Sequence, residues 1–432
     1  MSKIYDTIGI GFGPANIAVA IAMEELGYDK KVLFLEKESS TVWQKDMLFE
    51  GSDIQNHPLR DLVTPANPRS KYTFTNFLFE QGRLFEHFNL GMHFPFRVEY
   101  GQYITWVASH FQHLVKYDTT ISSITVEEDK GEYIYKIILN DGVQYLAKSI
   151  VVATGRTPYI PNEFVGLDPN KVIHLTKYLS TINSLKEEDV QSIAVVGGSQ
   201  SAIEILLHAS ERFPQADILG VTKSFGYRMK DVSPFTGEVY FPEFVDLFYK
   251  SSKKNKERLI NDLHFTNYSA TDLDVLDELY RKMYQQKIQG KQKIFIERSA
   301  DITKVIENGK IEIHFDSIEK EKSSVHDIDL VILATGFKNI GTKPHQEKIP
   351  KVFMDLSRHL SLNSDECIDV YPNYRVKMKP YLENAYCFMN GFCESSHGMG
   401  DAGSFSLLAL RSRAIVSALK KKEESFQLEN AN

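Results

Sequence analysis

Two stretches, one at the N-terminus and one near the middle of the chain, repeat an order that few folds accommodate: an apolar strand, a turn of small residues, then a helix. In the first, residues 4–10 read as a strand and Gly9-Ile10-Gly11-Phe12-Gly13-Pro14 as a tight turn. Residues 15–26 read as a helix carrying Ile17, Val19, Ala20, Ile21 and Met23, with Gly27 placed as its C-terminal cap. A second strand, residues 31–35, ends at Glu36. In the middle of the chain, residues 192–196 form the strand, Gly197-Gly198-Ser199-Gln200-Ser201-Ala202 the turn, residues 202–213 the helix and residues 216–221 the next strand. The pattern predicts an α/β protein with two Rossmann-like dinucleotide-binding folds.

The turns have a chemical purpose. A pyrophosphate approaches the backbone closely at a helix N-terminus, where unused N–H groups and the helix dipole favour anions. Gly9 and Gly11 remove Cβ atoms from that approach, Gly13 and Pro14 start the helix, and Glu36 is placed to accept hydrogen bonds from ribose hydroxyls. Pro14 stands where the usual fingerprint has its third glycine. In the second turn Gly197 keeps the pattern, Ser199 replaces the second glycine and Ala202 takes the third place. No acid closes the following strand; Thr222 and Lys223 stand there instead, and a cation suits a ribose 2′-phosphate, favouring NADPH over NADH.

Two apolar segments, ending in Ala153-Thr154-Gly155 and Ala334-Thr335-Gly336, follow hairpin-like alternation at residues 133–139 and 310–315. That order predicts an interrupted first domain: residues 1–170 and 335–420 for one nucleotide, with residues 171–334 inserted for the other. A helical substrate segment is expected near residues 231–290, and a frayed polar tail at 421–432. Tyr268, Leu273, Leu276, Leu279, Tyr280 and Tyr284 fall at near-helical spacing within it, as an amphipathic packing helix would.

Composition narrows the chemistry. The chain has 432 residues and a formal charge of −7, which argues against nucleic acid or an anionic membrane surface as main partner. No apolar run approaches the roughly 20 residues of a membrane-spanning helix, and no basic-then-apolar leader opens the chain. The three cysteines, Cys367, Cys387 and Cys393, form no CxxC pair, so a disulfide reductase is excluded and reduced cytoplasmic thiols are expected. No metal cluster is expected. Two nucleotide sites imply electron flow from nicotinamide to flavin, with dioxygen, a small oxidised substrate or a carrier as acceptor.

The motifs together resemble the N-hydroxylating flavin monooxygenases that act on the side-chain amine of ornithine or lysine in siderophore biosynthesis. They span nearly the whole chain: Gly9 to Asn16, Leu35-Glu36-Lys37, Trp43, Arg60 to Thr64, Asn67-Pro68, Tyr72-Thr73-Phe74, Gly82-Arg83-Leu84, Asn89-Leu90, Arg97 to Tyr100, Tyr103 to Trp106, Gln200-Ser201-Ala202, Asp231 to Phe235, Thr266-Asn267-Tyr268-Ser269, Asp329 through Phe337, and His397-Gly398. The ornithine branch fits better than the lysine branch. The resemblance implies FAD and NADPH as cofactors, oxygen transfer through a flavin hydroperoxide to a neutral amine, and a tetramer. It implies Gln55 and Asn267 as catalytic groups and Arg60, Gly237, Asn267 and Ser406 at the substrate. Cofactor contacts are implied for the first turn with Glu36, Lys37, Trp43 and Gln55, for Gly197, Ser199, Gln200 and Ser201, and for Thr335, Gly336 and His397.

Departures from the family pattern cluster at the substrate end. Gln44 stands where the family has His, Arg60 where it has a Lys that anchors the substrate carboxylate, and Gly237 where it has an Asn that holds the substrate's amino-acid backbone. Ornithine leads, with lysine, a diamine or another amino acid as alternatives. A rival within the double nucleotide fold oxidises ketones or thioethers, and readings of another class are a flavin redox sensor or an uncoupled NADPH oxidase.

Overall fold

A computed structural model describes residues 4–129, 131–317 and 322–430. Two sheets organise them. In the first, Ile4–Ile10 lies between Val32–Leu35 and Gln144–Val152, all parallel, with Val115–Lys116 beyond Val32–Leu35. The long strand Gln144–Val152 has two neighbours on its far side. Its N-terminal half pairs antiparallel with Glu132–Leu139, which is followed by Ile121–Asp129, and its C-terminal half pairs parallel with Tyr386–Met389. The second sheet is all parallel, in the order Ile294–Glu297, Asp217–Val221, Ser192–Val196, Leu330–Leu333, Val172–His174. Every strand of the second sheet lies in sequence between Gln144–Val152 and Tyr386–Met389 of the first, so one nucleotide fold is inserted into the other. The antiparallel strands Ala300–Asn308, Lys310–Ser317 and Lys322–Ile328 form a separate three-stranded sheet.

The helix after the first turn, Pro14–Glu25, is buried along its length from Asn16 to Met23, as an apolar helix covered on more than one side must be. Leu408–Asn430 packs against it, and Lys420 donates to the carbonyl of Leu26. The helix runs into the expected polar tail as far as Asn430. The segment continues as helix because Lys, Glu, Gln and Leu are good helix formers and Lys422 is tied to the Lys148 carbonyl at 3.1 Å. Residues 431–432 lie outside the described residues. The second unit's helix, Gln200–Arg212, begins two residues earlier than its apolar pattern indicates, bringing Gln200 and Ser201 into its first turn. The amphipathic helix is Leu273–Ile288. Val275 and Leu279 are buried on the second core, Tyr280 and Tyr284 face solvent, and Tyr268 precedes it in a loop.

The two Ala-Thr-Gly segments do one job twice. The Ala153 amide donates to Ile10 O (2.8 Å) and the Ala334 amide to Val196 O (2.9 Å), so each motif runs beside the strand that precedes a glycine turn. A Cβ on Gly11 would stand 2.7 Å from the Ala153 carbonyl oxygen, and one on Gly197 would collide with the Ala334 carbonyl. Gly11 also has φ +83°, a conformation that side chains disfavour.

Candidate active site

A cavity of about 580 Å3 opens where the two sheets' C-terminal edges meet the helical segment. Of the residues expected at the site, Trp43, Gln55, Arg60, Gln200, Ser201, Gly237, Asn267 and Ser406 line it, as does Gln44. Trp43 is held edge-on by Phe405, ring centroids 5.1 Å apart. Arg60 Nη1 reaches Ser406 Oγ at 3.5 Å, and its guanidinium lies 5.3 Å from the centroid of the Tyr240 ring. The Tyr240 hydroxyl donates to the Thr266 carbonyl (3.0 Å) and approaches Asn267 Oδ1 (3.4 Å). Arg60, Ser406 and Asn267 are thus gathered through Tyr240, which the motifs did not single out. A Cβ at Gly237 would meet nothing within 4 Å, so the missing side chain leaves open space.

Gln55 adopts φ +48° and is braced from both folds. Its backbone amide donates to Asp53 Oδ1 (3.0 Å), and its side-chain nitrogen donates to Gln200 Oε1 (2.6 Å) and Asp272 Oδ2 (2.9 Å). Gln200 in turn donates to Asp53 (3.0 Å) and Glu204 (3.2 Å), and Glu204 pairs with Arg97 at 2.9 Å. Burial raises the Asp53 carboxyl to about 7, with the Glu204 charge adding to it. Buried carboxylates this close compete for one guanidinium, and protonation of one relieves the conflict.

The cavity wall is rich in cations. Arg97 and Arg156 are paired with Glu204 and Glu394, but Arg60 and Lys230 make no salt bridge among the described residues. The one acid in the lining is Asp231, whose carboxylate accepts the Ser233 amide at 3.0 Å. Burial lowers the Lys230 ammonium and, with the Arg60 charge, the His57 imidazole, so His57 favours its neutral form.

The remaining expected residues lie elsewhere. Gly9, Gly11, Gly13, Pro14 and Glu36 cluster at the first turn. There Glu36 Oε2 accepts the Phe12 amide (2.6 Å) and Oε1 the Glu38 amide (3.0 Å). Open space lies above Gly13, where a Cβ would meet nothing within 4 Å, and the helix-start amides point toward it. This cradle, with the carboxylate one strand away, fits a dinucleotide such as FAD. Lys37 is exposed and pairs with Glu38 at 3.5 Å. Gly197, Ser199, Thr335 and Gly336 stand at the second turn, with Thr335 Oγ1 bonded to the Tyr159 carbonyl. Thr222 is buried there and Lys223 exposed. His397 does not line the cavity. It is buried, stacked on Tyr374 at 4.1 Å and bonded to Ser396 and the Pro372 carbonyl. The sequence reading missed Arg156, Lys230 and Tyr240; the first two sit next to motifs it quoted, after Ala153-Thr154-Gly155 and before Asp231.

Two nucleotide folds meeting at a polar cavity define a two-dinucleotide oxidoreductase of the double-Rossmann class. Residues 3–339 match the family described as L-lysine 6-monooxygenase/L-ornithine 5-monooxygenase. The chain is 34% identical to the L-ornithine N(5)-monooxygenase of Ajellomyces capsulatus, over 98% of this chain and 93% of that one. It is 31% identical to the enzyme of the same name from Pseudomonas aeruginosa, over 96% and 94%. Among solved structures it resembles the Pseudomonas aeruginosa ornithine hydroxylase, with TM-score 0.86, 30% identity, and 97% and 100% of the two chains covered. It also resembles an ornithine N-hydroxylase from Kutzneria, solved with reduced FAD, NADP+ and L-ornithine, with TM-score 0.90, 28% identity, and 98% and 100% covered. The chain belongs to the lysine/ornithine N-monooxygenase family and is an FAD- and NADPH-dependent N-hydroxylating enzyme. No helix among the described residues is long and apolar enough to cross a membrane.

Proposed function

We propose that this enzyme hydroxylates the side-chain amine of a small α-amino acid, ornithine or a close relative. FAD, when bound, supplies oxygen activation with electrons from NADPH. The first turn and Glu36 would hold FAD, the turn at Gly197 and Ser199 would hold NADPH, Gln55 and Asn267 would face the reacting amine, and Arg60 and Ser406 would face the substrate's carboxylate. Hydroxylation requires an amine with a free lone pair. Lys230, which makes no salt bridge among the described residues, disfavours an ammonium nearby and so favours the neutral amine.

The observation that carries the choice of substrate is the excess of cationic over acidic groups in the cavity wall. A diamine brings a second ammonium, and Asp231 alone could receive it. An amino acid brings a carboxylate, which Arg60 can hold bidentately. Gly237 leaves room beside it, so the side-chain length accepted is set less tightly than an added polar contact would set it.

The test is a panel of ornithine, lysine, arginine, putrescine, cadaverine and short α-amino acids, measuring NADPH oxidation, hydroxylamine and hydrogen peroxide together. Stoichiometric hydroxylamine from ornithine with little peroxide supports the reading; preference for a diamine overturns the substrate assignment; peroxide alone with every amine overturns the function.

A homo-oligomer is part of the proposal. The short helix Leu84–Leu90 buries none of its residues, and Phe85 is 83% exposed with Phe88 and Leu90 beside it. Water contact on such a helix is costly, and a second copy would relieve it. The three buried free thiols support a reducing, cytoplasmic compartment.

A further inference from the structure

Behind the cavity wall lies a carboxylate with no assigned role. Glu394 opens the short helix Glu394–His397 and is 5% exposed. Three segments distant in sequence meet on it. Its Oε2 accepts the Tyr268 hydroxyl and Arg156 Nη1 (3.4 Å), and its Oε1 accepts Asn339 Nδ2 (3.0 Å). The same Arg156 nitrogen also reaches Asn339 Oδ1 (2.8 Å) and the Tyr268 oxygen (3.2 Å). Arg156 and Tyr268 line the cavity and Glu394 stands behind them.

Tyr268 directly follows Asn267, in a loop whose next residue, Ser269, has φ +51°. The amides of Asn267 (3.3 Å) and Tyr268 (2.9 Å) both donate to the His264 carbonyl, which fixes the start of the turn. Its far side is held by two side chains, Ser269 on the His264 ring at 3.2 Å and Tyr268 anchored on Glu394. Asn267 sits between two tyrosine anchors, Tyr240 on one side and Tyr268 on the other. A buried carboxylate without partners would be costly, and here the three donors satisfy it while Arg156 balances its charge.

We propose that Glu394 is a positioning residue for N-hydroxylation: through Tyr268 it fixes Asn267 at the substrate, and through Arg156 it sets the charge of the same wall. This rests on the reading that Asn267 faces the amine. Burial raises the Glu394 carboxyl, and the Arg156 charge with the Tyr268 and Asn339 hydrogen bonds offsets part of that rise.

The test uses Tyr268→Phe, Glu394→Ala and Glu394→Gln in the FAD-loaded full chain. Four quantities are measured: FAD content, thermal midpoint, ornithine affinity by calorimetry, and the share of NADPH electrons recovered as hydroxylamine. Loss of one charged, buried hydrogen bond predicts roughly 5- to 20-fold weaker ornithine binding and a matching shift of electrons toward peroxide in Tyr268→Phe and Glu394→Ala. Glu394→Gln, which keeps an acceptor oxygen, recovers part of both. FAD content in Tyr268→Phe stays at the wild-type level, which a purely structural role for Glu394 would not require. Wild-type affinity and coupling in folded Tyr268→Phe overturn the proposal. If the wild-type enzyme hydroxylates no amine, the functional reading fails instead, and crystal structures of the variants then decide. A displaced Asn267 side chain supports the positioning role and an unmoved one overturns it.

Discussion

The side-chain nitrogen of Gln55 lies 2.6 Å from the side-chain oxygen of Gln200, and that bond joins the two nucleotide folds at the wall of the cavity. Gln200 sits at the first turn of its helix, where a nucleotide contact is expected, yet its side chain turns toward the other fold. There it meets Asp53, Glu204 and the Asp272 amide. Both ends of its carboxamide are used, so the residue acts as a strut between folds.

The strut leans on the Arg97–Glu204 pair, which is nearly solvent-free. Arg97 also donates to the Met47 and Asp53 carbonyls at 3.0 and 2.7 Å. Arg97→Leu leaves Glu204 charged and buried beside Asp53, at a cost of about 3–5 kcal/mol. The double variant Arg97→Leu, Glu204→Leu recovers much of that loss, as a double-mutant cycle in urea would measure.

Asp53 makes stability depend on pH in a defined window. Its folded-state value is raised to about 7 from an ordinary 3.8, so the folded protein binds the proton more tightly than the unfolded chain. The stabilisation is fully present below about pH 4 and is lost as pH rises through about 7. Between pH 5.5 and 8 the wild type should lose unfolding free energy, and Asp53→Asn should show a flatter profile over the same interval.

The substrate assignment turns on Arg60. Arg60→Ala removes the cation near Ser406 and should raise KM for ornithine by about 10- to 100-fold, the scale of a charged hydrogen-bonded contact. KM for a diamine, which brings no carboxylate, should change little or fall. Arg60→Lys keeps the charge but not the fork, and should lie between. Steady-state kinetics on both substrates with the three proteins tests this.

Gly11 and Gly13 separate folding from cofactor binding. Gly11→Ala must place a Cβ 2.7 Å from the Ala153 carbonyl at φ +83°, so the first fold itself is destabilised. Gly13 has φ −82° and open space around it, so Gly13→Ala should fold normally. Its methyl group would occupy the space where a pyrophosphate approaches, and FAD should be lost on gel filtration. Equal thermal midpoints with unequal flavin absorbance identify that outcome.

The two strand–turn–helix units were legible in the sequence because each is built from neighbours. Apolar periodicity sets Ser192–Val196 and Ile4–Ile10, and Pro14 can only begin a helix, so such elements carry their own signal. The motif positions also named eight site residues that line the cavity. What the sequence could not reveal depends on side chains far apart in the chain. Gln55 meets Gln200 across 145 positions, and Arg156 meets Glu394 across 238. No local pattern distinguishes a buried glutamate with three donors from an exposed one. Nor does any local pattern reveal that Gln200 bonds across to Asp53 or that His397 stacks on Tyr374. Those outcomes were decided when the two folds came together through their side chains, because a buried polar group must find its partners wherever the fold brings them.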